Sequence, residues 1–145
     1  MMHHVLEHMY NPVEELKQCH RILKNNSYLM VRVPIKSFAW EKYKENWVQL
    51  DAPRHLIIHT LKGMKILAES TGFIVQKIVY DSEPFQFSGS ELYQRDIPMF
   101  DPKSHQLFVS REHFTKKERK FFRKEAKRLN MEELGDQAIF YLKKR

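Results

Sequence analysis

One cysteine, four scattered glycines and the lack of any long apolar run set the first limits on this 145-residue sequence. A lone Cys19 excludes an internal disulfide, accords with a reducing compartment, and reads as a small apolar filler on a helix face. Gly63, Gly72, Gly89 and Gly135 each stand alone, so no glycine-rich loop can wrap its backbone around a phosphate. The apolar runs are a handful of residues, against the roughly 18 that a bilayer span requires, and no charged-then-apolar leader opens the chain. The expectation is a soluble, cytoplasmic protein with no membrane partner. Repeats and low-complexity tracts are also missing, and 42% apolar with 30% charged residues suits a single domain with one core.

The formal charge of +7 is unevenly placed: Lys116 to Arg128 holds eight Lys or Arg against two Glu, and the remainder is close to neutral. Any electrostatic partner has to be met by that segment. Phe114, Phe121, Phe122 and Leu129 are expected on its inward face, which leaves the basic residues as a solvated outer face. No interleaved aromatic and basic platform of the kind that grips RNA accompanies it, so nucleic acid is not the expected partner.

Asn11-Pro12-Val13-Glu14 combines three helix-start signals: an Asn cap, Pro at the first helical position and Glu at the third. Val13, Leu16, Cys19 and Leu23 then form one apolar stripe, and Lys24-Asn25-Asn26-Ser27 ends the helix. Tyr28 to Val33 is a buried strand with Arg32 as its one polar interruption, closed by Pro34. Met1 to Leu6 reads as a shorter strand, so strand, helix and strand form a right-handed βαβ unit. Ser37 to His59 is irregular and aromatic, long enough to suggest a binding loop. Thr60 caps a second helix that Gly72 stops, Phe73 to Tyr80 is a third strand, and Asp81 to Glu112 is an excursion with a short helix near Gly89 to Arg95. A basic helix spans Thr115 to about Leu129, and a last strand follows Gly135. The fold class is α/β.

His4-Val5-Leu6-Glu7-His8 matches H-x-x-E-H, a zinc-peptidase signature when helical. Pro12 disfavours a helix running in through Asn11. On a strand His4 and His8 lie roughly 13 Å apart, too far to share an ion. His55 and His59 repeat the spacing and are set aside likewise. No metal is expected. Open α/β sheets bind ligands beyond the carboxyl ends of their parallel strands, which gathers Glu7-His8, Pro34-Ile35-Lys36 and the aromatic loop on one rim.

The order "HHVLEHMYNPVEELKQCHRILKNNSYLMVRVP", then "WVQLDAPRHL", "ESTGFIV" and "LNMEELGDQAIFYLKK" resembles the second half of a class I S-adenosylmethionine-dependent methyltransferase. The resemblance covers essentially the whole chain. It implies a partial Rossmann-like sheet, strands four to seven of seven, with the last strand antiparallel between its two neighbours. Residues 1–145 would be one C-terminal portion of the domain, with a helical insertion over 82–135. It also implies site roles. His3, His4 and Glu7 lie by the methionine end of the cofactor, and Trp47, Asp51 and Arg54 face a small-molecule or glycan-like acceptor. His8 and His55 are the candidate bases, histidine being suited to proton transfer near neutral pH. Each has a plainer alternative. The histidines could simply bond loop backbone, Arg54 could pair with Asp51, and Trp40 and Trp47 could anchor the loop to the domain.

Two departures from the family pattern stand out. Asn25-Asn26-Ser27 replaces the usual Pro-Gly-Gly turn, a modest change because Asn tolerates the left-handed conformation. The family's glycine-rich cofactor loop and its ribose-holding acidic residue have no counterpart. The expectation is therefore a truncated piece that does not bind S-adenosylmethionine alone, whose stripped N-terminal strand edge pairs with another copy of the chain. The other reading is a non-catalytic remnant or binding module working through the basic helix 115–129.

Overall fold

Leu29, Val31 and Val33, each 5% exposed or less, turn one face of strand β2 (Tyr28–Pro34) toward the core. This is the alternation a half-buried strand requires. The computed structural model describes residues 1–100 and 113–145, and β2 is the axis of its first compact unit, Met1–Lys36, Ala52–Asp81 and Gln137–Arg145. Strand β4 (Gln137–Lys144) pairs antiparallel along all of β2, from Tyr28↔Lys143 to Pro34↔Gln137, and adds Ala138, Phe140 and Leu142 to the core. Strand β3 (Phe73–Tyr80) runs antiparallel along the other side of β4, and strand β1 (Met2–His3) lies parallel to β2. The order is β1-β2-β4-β3, so the last strand in sequence lies between β2 and β3, antiparallel to both.

A register shift between Val75 and Lys77 serves the packing of β3. An extra residue in one strand reverses its in/out parity. Phe73 and Val75 before the shift, and Ile78 and Tyr80 after it, consequently all reach the same core. Without it, Lys77 would take a core position.

Helices α1 (Pro12–Ile22) and α3 (Leu61–Ser70) supply Leu16, Met64 and Ala68 to this core. Asn11 accepts the Glu14 N–H and Thr60 the Gly63 N–H, so each helix carries the expected side-chain cap. Asn26 (φ 60°) and Gly72 (φ 88°) take the left-handed conformations expected of the turn and the helix stop.

The N-terminal strand is shorter than expected. His4 turns left-handed (φ 51°) and ends β1 after His3, and Leu6–His8 form a single 3-10 turn. The physical cause is burial: the turn carries Leu6 into the core and Glu7 out of solvent, both 0% exposed, where a continued strand would have alternated them.

The second compact unit comprises Ser37–Asp51 and Ser82–Asp136. Residues 38–50, expected to be irregular, fold into a short helix α2 (Phe38–Tyr43) and two 3-10 turns, Lys44–Asn46 and Val48–Leu50. Helix α4 (Phe85–Gln94) begins earlier than expected, and α5 (Lys116–Met131) opens with a reciprocal capping box between Thr115 and Glu118. Phe114, Phe122, Ala126 and Leu129 are buried, but Phe121 is 55% exposed. Adjacent helical positions diverge by about 100°, so Phe122 takes the inward seat and Phe121 points outward, correcting the expected inward set. The end of the Asp81 to Glu112 excursion lies outside the described residues. Among the described residues no helix is long and apolar enough to cross a membrane.

Candidate functional site

The carboxyl ends of β1 and β2 are bridged by the segment that returns from residue 52 to α3. Ile35 pairs in parallel with His59, and the Lys36 N–H donates to the His59 carbonyl at 2.9 Å. A few residues earlier, Leu56 and Ile57 both donate to the Glu7 carbonyl, at 2.9 and 3.2 Å. His8 adds a side-chain link, its Nδ1 donating to the Arg54 carbonyl at 2.8 Å. The 3-10 turn at residues 6–8 and the segment at 54–57, nearly fifty residues apart in sequence, are thus clasped together. Ala52-Pro53 just before is a cis peptide.

Glu7 is the floor of the site, fully buried on that turn. Its Oε1 accepts from His4 Nδ1 at 3.0 Å. Arg32 Nη1 lies 3.2 Å from His4 Nε2 and 2.7 Å from His3 Nε2, while Arg32 Nε donates to Asp81 Oδ2 at 2.6 Å. Arginine can only donate, so His4 Nε2 is the acceptor and its one ring proton sits on Nδ1, aimed at Glu7. Asp81, Arg32, His4 and Glu7 form one connected run of hydrogen bonds, in which Arg32 donates to Asp81 on one side and to His4 on the other, and His4 donates on to Glu7. Gln137 holds its far end, with Nε2 donating to Asp81 Oδ1 at 3.2 Å.

Burial raises the pKa of the Glu7 carboxyl. The His4 hydrogen bond, Glu7's own backbone N–H and the His4 and His55 imidazoles more than offset this, and the group titrates below the ordinary carboxylate range. His59, 6% exposed, is held toward its neutral form: desolvation lowers its pKa, only partly opposed by the Glu7 charge. Two atoms at this floor, Glu7 Oε2 and His59 Nε2, are buried without a hydrogen-bond partner.

Above the floor, the rings of His8 and His55 meet edge-to-face with centroids 4.8 Å apart. One ligand atom from each of Glu7, His8 and His55 lies within 4.8 Å of the other two, with Glu7 buried and His8 exposed. His3, His4, Glu7, His8, Arg54 and His55, named from the sequence, therefore converge. His8 adopts its plainer alternative through Nδ1, which bonds loop backbone, leaving Nε2 toward the rim. Trp47 and Asp51 belong to the second unit. Trp47 is 0% exposed, and its Nε1–H donates to Asp136 Oδ2 at 2.9 Å. That is the anchoring arrangement, with no ring face left for a substrate. Asp51 adopts a left-handed conformation (φ 41°) at the end of its turn.

Sequence reasoning did not place Arg32, Asp81 or His59 in the site. A single charge interrupting an otherwise apolar strand was the available signal for Arg32. His59 had been set aside with the metal pairs.

A parallel strand pair, an antiparallel last strand inserted beside it, and polar groups gathered beyond the parallel carboxyl ends define a Rossmann-like α/β protein with a strand-end site. Residues 1–78 match the family described as "Methyltransferase domain". The chain belongs to that family. A SAM-dependent methyltransferase from Archaeoglobus fulgidus has a similar fold, with a TM-score of 0.52 and 17% identity over all of this chain and 57% of that one. The chain thus spans little more than half of that relative's length. No curated protein matches in sequence.

The described residues do not make a complete site for the cofactor that this family implies. A Cβ added at Gly63 would meet Thr60 Oγ1 at 3.1 Å, at Gly72 the His20 ring at 2.8 Å, at Gly89 Val48 at 2.6 Å, and at Gly135 Asn130 and Ser82 at 2.5 Å. Every glycine makes room for this chain's own side chains, and none leaves bare backbone for a ligand. His3, His4 and Glu7, expected at the cofactor's methionine end, are bonded to Arg32 and to one another.

Proposed function

We propose that this chain is the acceptor-side portion of a cytoplasmic S-adenosylmethionine-dependent methyltransferase acting on a small-molecule or glycan-like acceptor. The observation that carries this reading is the family match over residues 1–78, whose strand ends build the Glu7, His8 and His55 cluster. In such an enzyme the cofactor supplies an electrophilic methyl group. This chain's residues orient the acceptor and take its proton: His8, with Nδ1 committed to Arg54, has Nε2 for that task, and His55 stands beside it. Alignment of the reacting groups is the main contribution an enzyme makes to such a displacement.

The test begins with the coding sequence upstream of Met1. An in-frame strand followed by a glycine-rich turn supports the reading, and the protein so defined should methylate an acceptor library with radiolabelled cofactor. His55→Ala should lower turnover by about 100-fold if it is the base. A stop codon with a good ribosome site upstream favours the second reading, a non-catalytic module. The clustering of positive charge on α5 is what supports that alternative.

A further inference from the structure

We propose that Glu7, His8 and His55 form a binding site for one divalent transition-metal ion of the zinc class. It comprises Glu7 Oε2 at the floor and the two imidazoles at the rim, with its remaining coordination positions open to solvent. The inference rests on the geometry alone and holds whether or not the protein transfers methyl groups.

Three observations converge on it. The first is the cluster: one donor atom from each residue lies within 4.8 Å of the others, contributed by two segments that main-chain hydrogen bonds clasp together. Zinc with N and O ligands at about 2.0–2.2 Å places those ligands about 3.4 Å apart. Loading therefore asks the three ligand atoms to close by up to about 1.4 Å.

The second is Glu7 Oε2, a carboxylate oxygen on a fully buried residue with no hydrogen-bond partner. An unpartnered buried carboxylate oxygen is costly, and a cation beside it removes that cost. The third is the support around the ligands. Metal-binding imidazoles donate their second ring N–H to a carbonyl or carboxylate, which fixes the ring and its tautomer. His8 does this through Nδ1 to the Arg54 carbonyl. Arg32 and His4 do the equivalent for Glu7, occupying Oε1 so that Oε2 is the oxygen left to bind.

Two imidazoles and one carboxylate suit zinc, and also cobalt, nickel or ferrous iron, better than magnesium or calcium. Three protein ligands with an open side are the pattern of a reactive rather than a purely structural site. An ion there would take up the lone pairs of His8 and His55. Its Lewis acidity toward a bound hydroxyl would then replace the general-base role of the two imidazoles.

The untagged 145-residue chain, stripped with a chelator and dialysed, is titrated calorimetrically with Zn²⁺ and separately with Mg²⁺. One Zn²⁺ per chain at low-micromolar affinity or tighter is expected, with far weaker Mg²⁺ binding. His8→Ala and His55→Ala should each weaken Zn²⁺ about tenfold or more and abolish the rise in melting temperature that Zn²⁺ gives the unsubstituted chain. His8 is exposed, so His8→Ala tests the site without disturbing the core, and His20→Ala controls for binding by a histidine outside the cluster. No saturable Zn²⁺ binding overturns the proposal, as does binding that survives in both site variants or falls equally in His20→Ala.

Discussion

Arg32 is the side chain on which the site's order depends. It holds Asp81 by Nε and two histidines by Nη1, an arrangement that a planar guanidinium makes and an ammonium cannot. Arg32→Met should cost about 1–3 kcal/mol in urea denaturation, because it leaves Asp81 and Glu7's supporting histidine short of partners in a partly buried setting. Arg32→Lys should recover only a fraction of that loss. A Lys variant as stable as the original would show that the fork geometry contributes nothing. The second residue-scale prediction concerns pH. His59 has a folded pKa below its ordinary 6.5, so the unfolded chain binds its proton first on acidification. Its contribution is present above 6.5 and declines as pH falls from there toward the depressed folded value. Glu7 acts lower down: its folded pKa lies below 4.5, so its contribution holds above that value and is lost as pH falls through the folded one. Denaturation midpoints measured at half-unit pH steps should therefore fall from pH 7 toward pH 5, and His59→Gln should flatten that part of the profile.

At the level of elements, the readable features were those fixed by local chemistry. Asn11-Pro12, Thr60 and Gly72 mark helix ends by hydrogen bonding and by backbone freedom, and the helices start and stop there. Phe73–Tyr80 matched residue for residue, although its bulge could not be read, because only pairing with β4 reveals it. What misled was periodicity in short segments. Met1 to Leu6 is apolar enough for a strand, but burying Leu6 and Glu7 together outweighs extending the pairing. That same turn undoes the spacing argument against a metal, which assumed a strand from His4 to His8. In α5 the expected inward set counted adjacent Phe121 and Phe122 together, but the buried stripe of Phe122, Ala126 and Leu129 leaves Phe121 outside it. Phe122→Ala should cost about 3–5 kcal/mol and Phe121→Ala no more than about 0.5 kcal/mol, read from thermal or urea melts. Equal losses would mean that both rings pack.

For the whole molecule, the methyltransferase character was legible from motif order, while the chain's own capacity to hold a cofactor is decided by its glycines. A ligand whose phosphate, ribose or carboxylate must approach main chain needs residues without a Cβ at the contact. Here all four glycines are already consumed: Gly72 by its left-handed stop against His20, Gly89 by Val48, Gly135 by Asn130 and Ser82, and Gly63 by the cap of its own helix. Under the proposed function, this chain supplies the opposite wall, a buried carboxylate set under two rim histidines. A wall of that kind can select and align an acceptor but offers a nucleoside little to hold. The 145-residue chain should therefore show no measurable heat on titration with S-adenosylhomocysteine, even at millimolar ligand, in a sample whose melting curve confirms that it is folded. Saturable binding at low-micromolar ligand would mean that side chains alone assemble a cofactor site, and His3, His4 and Glu7 would be the first to substitute in tracing it.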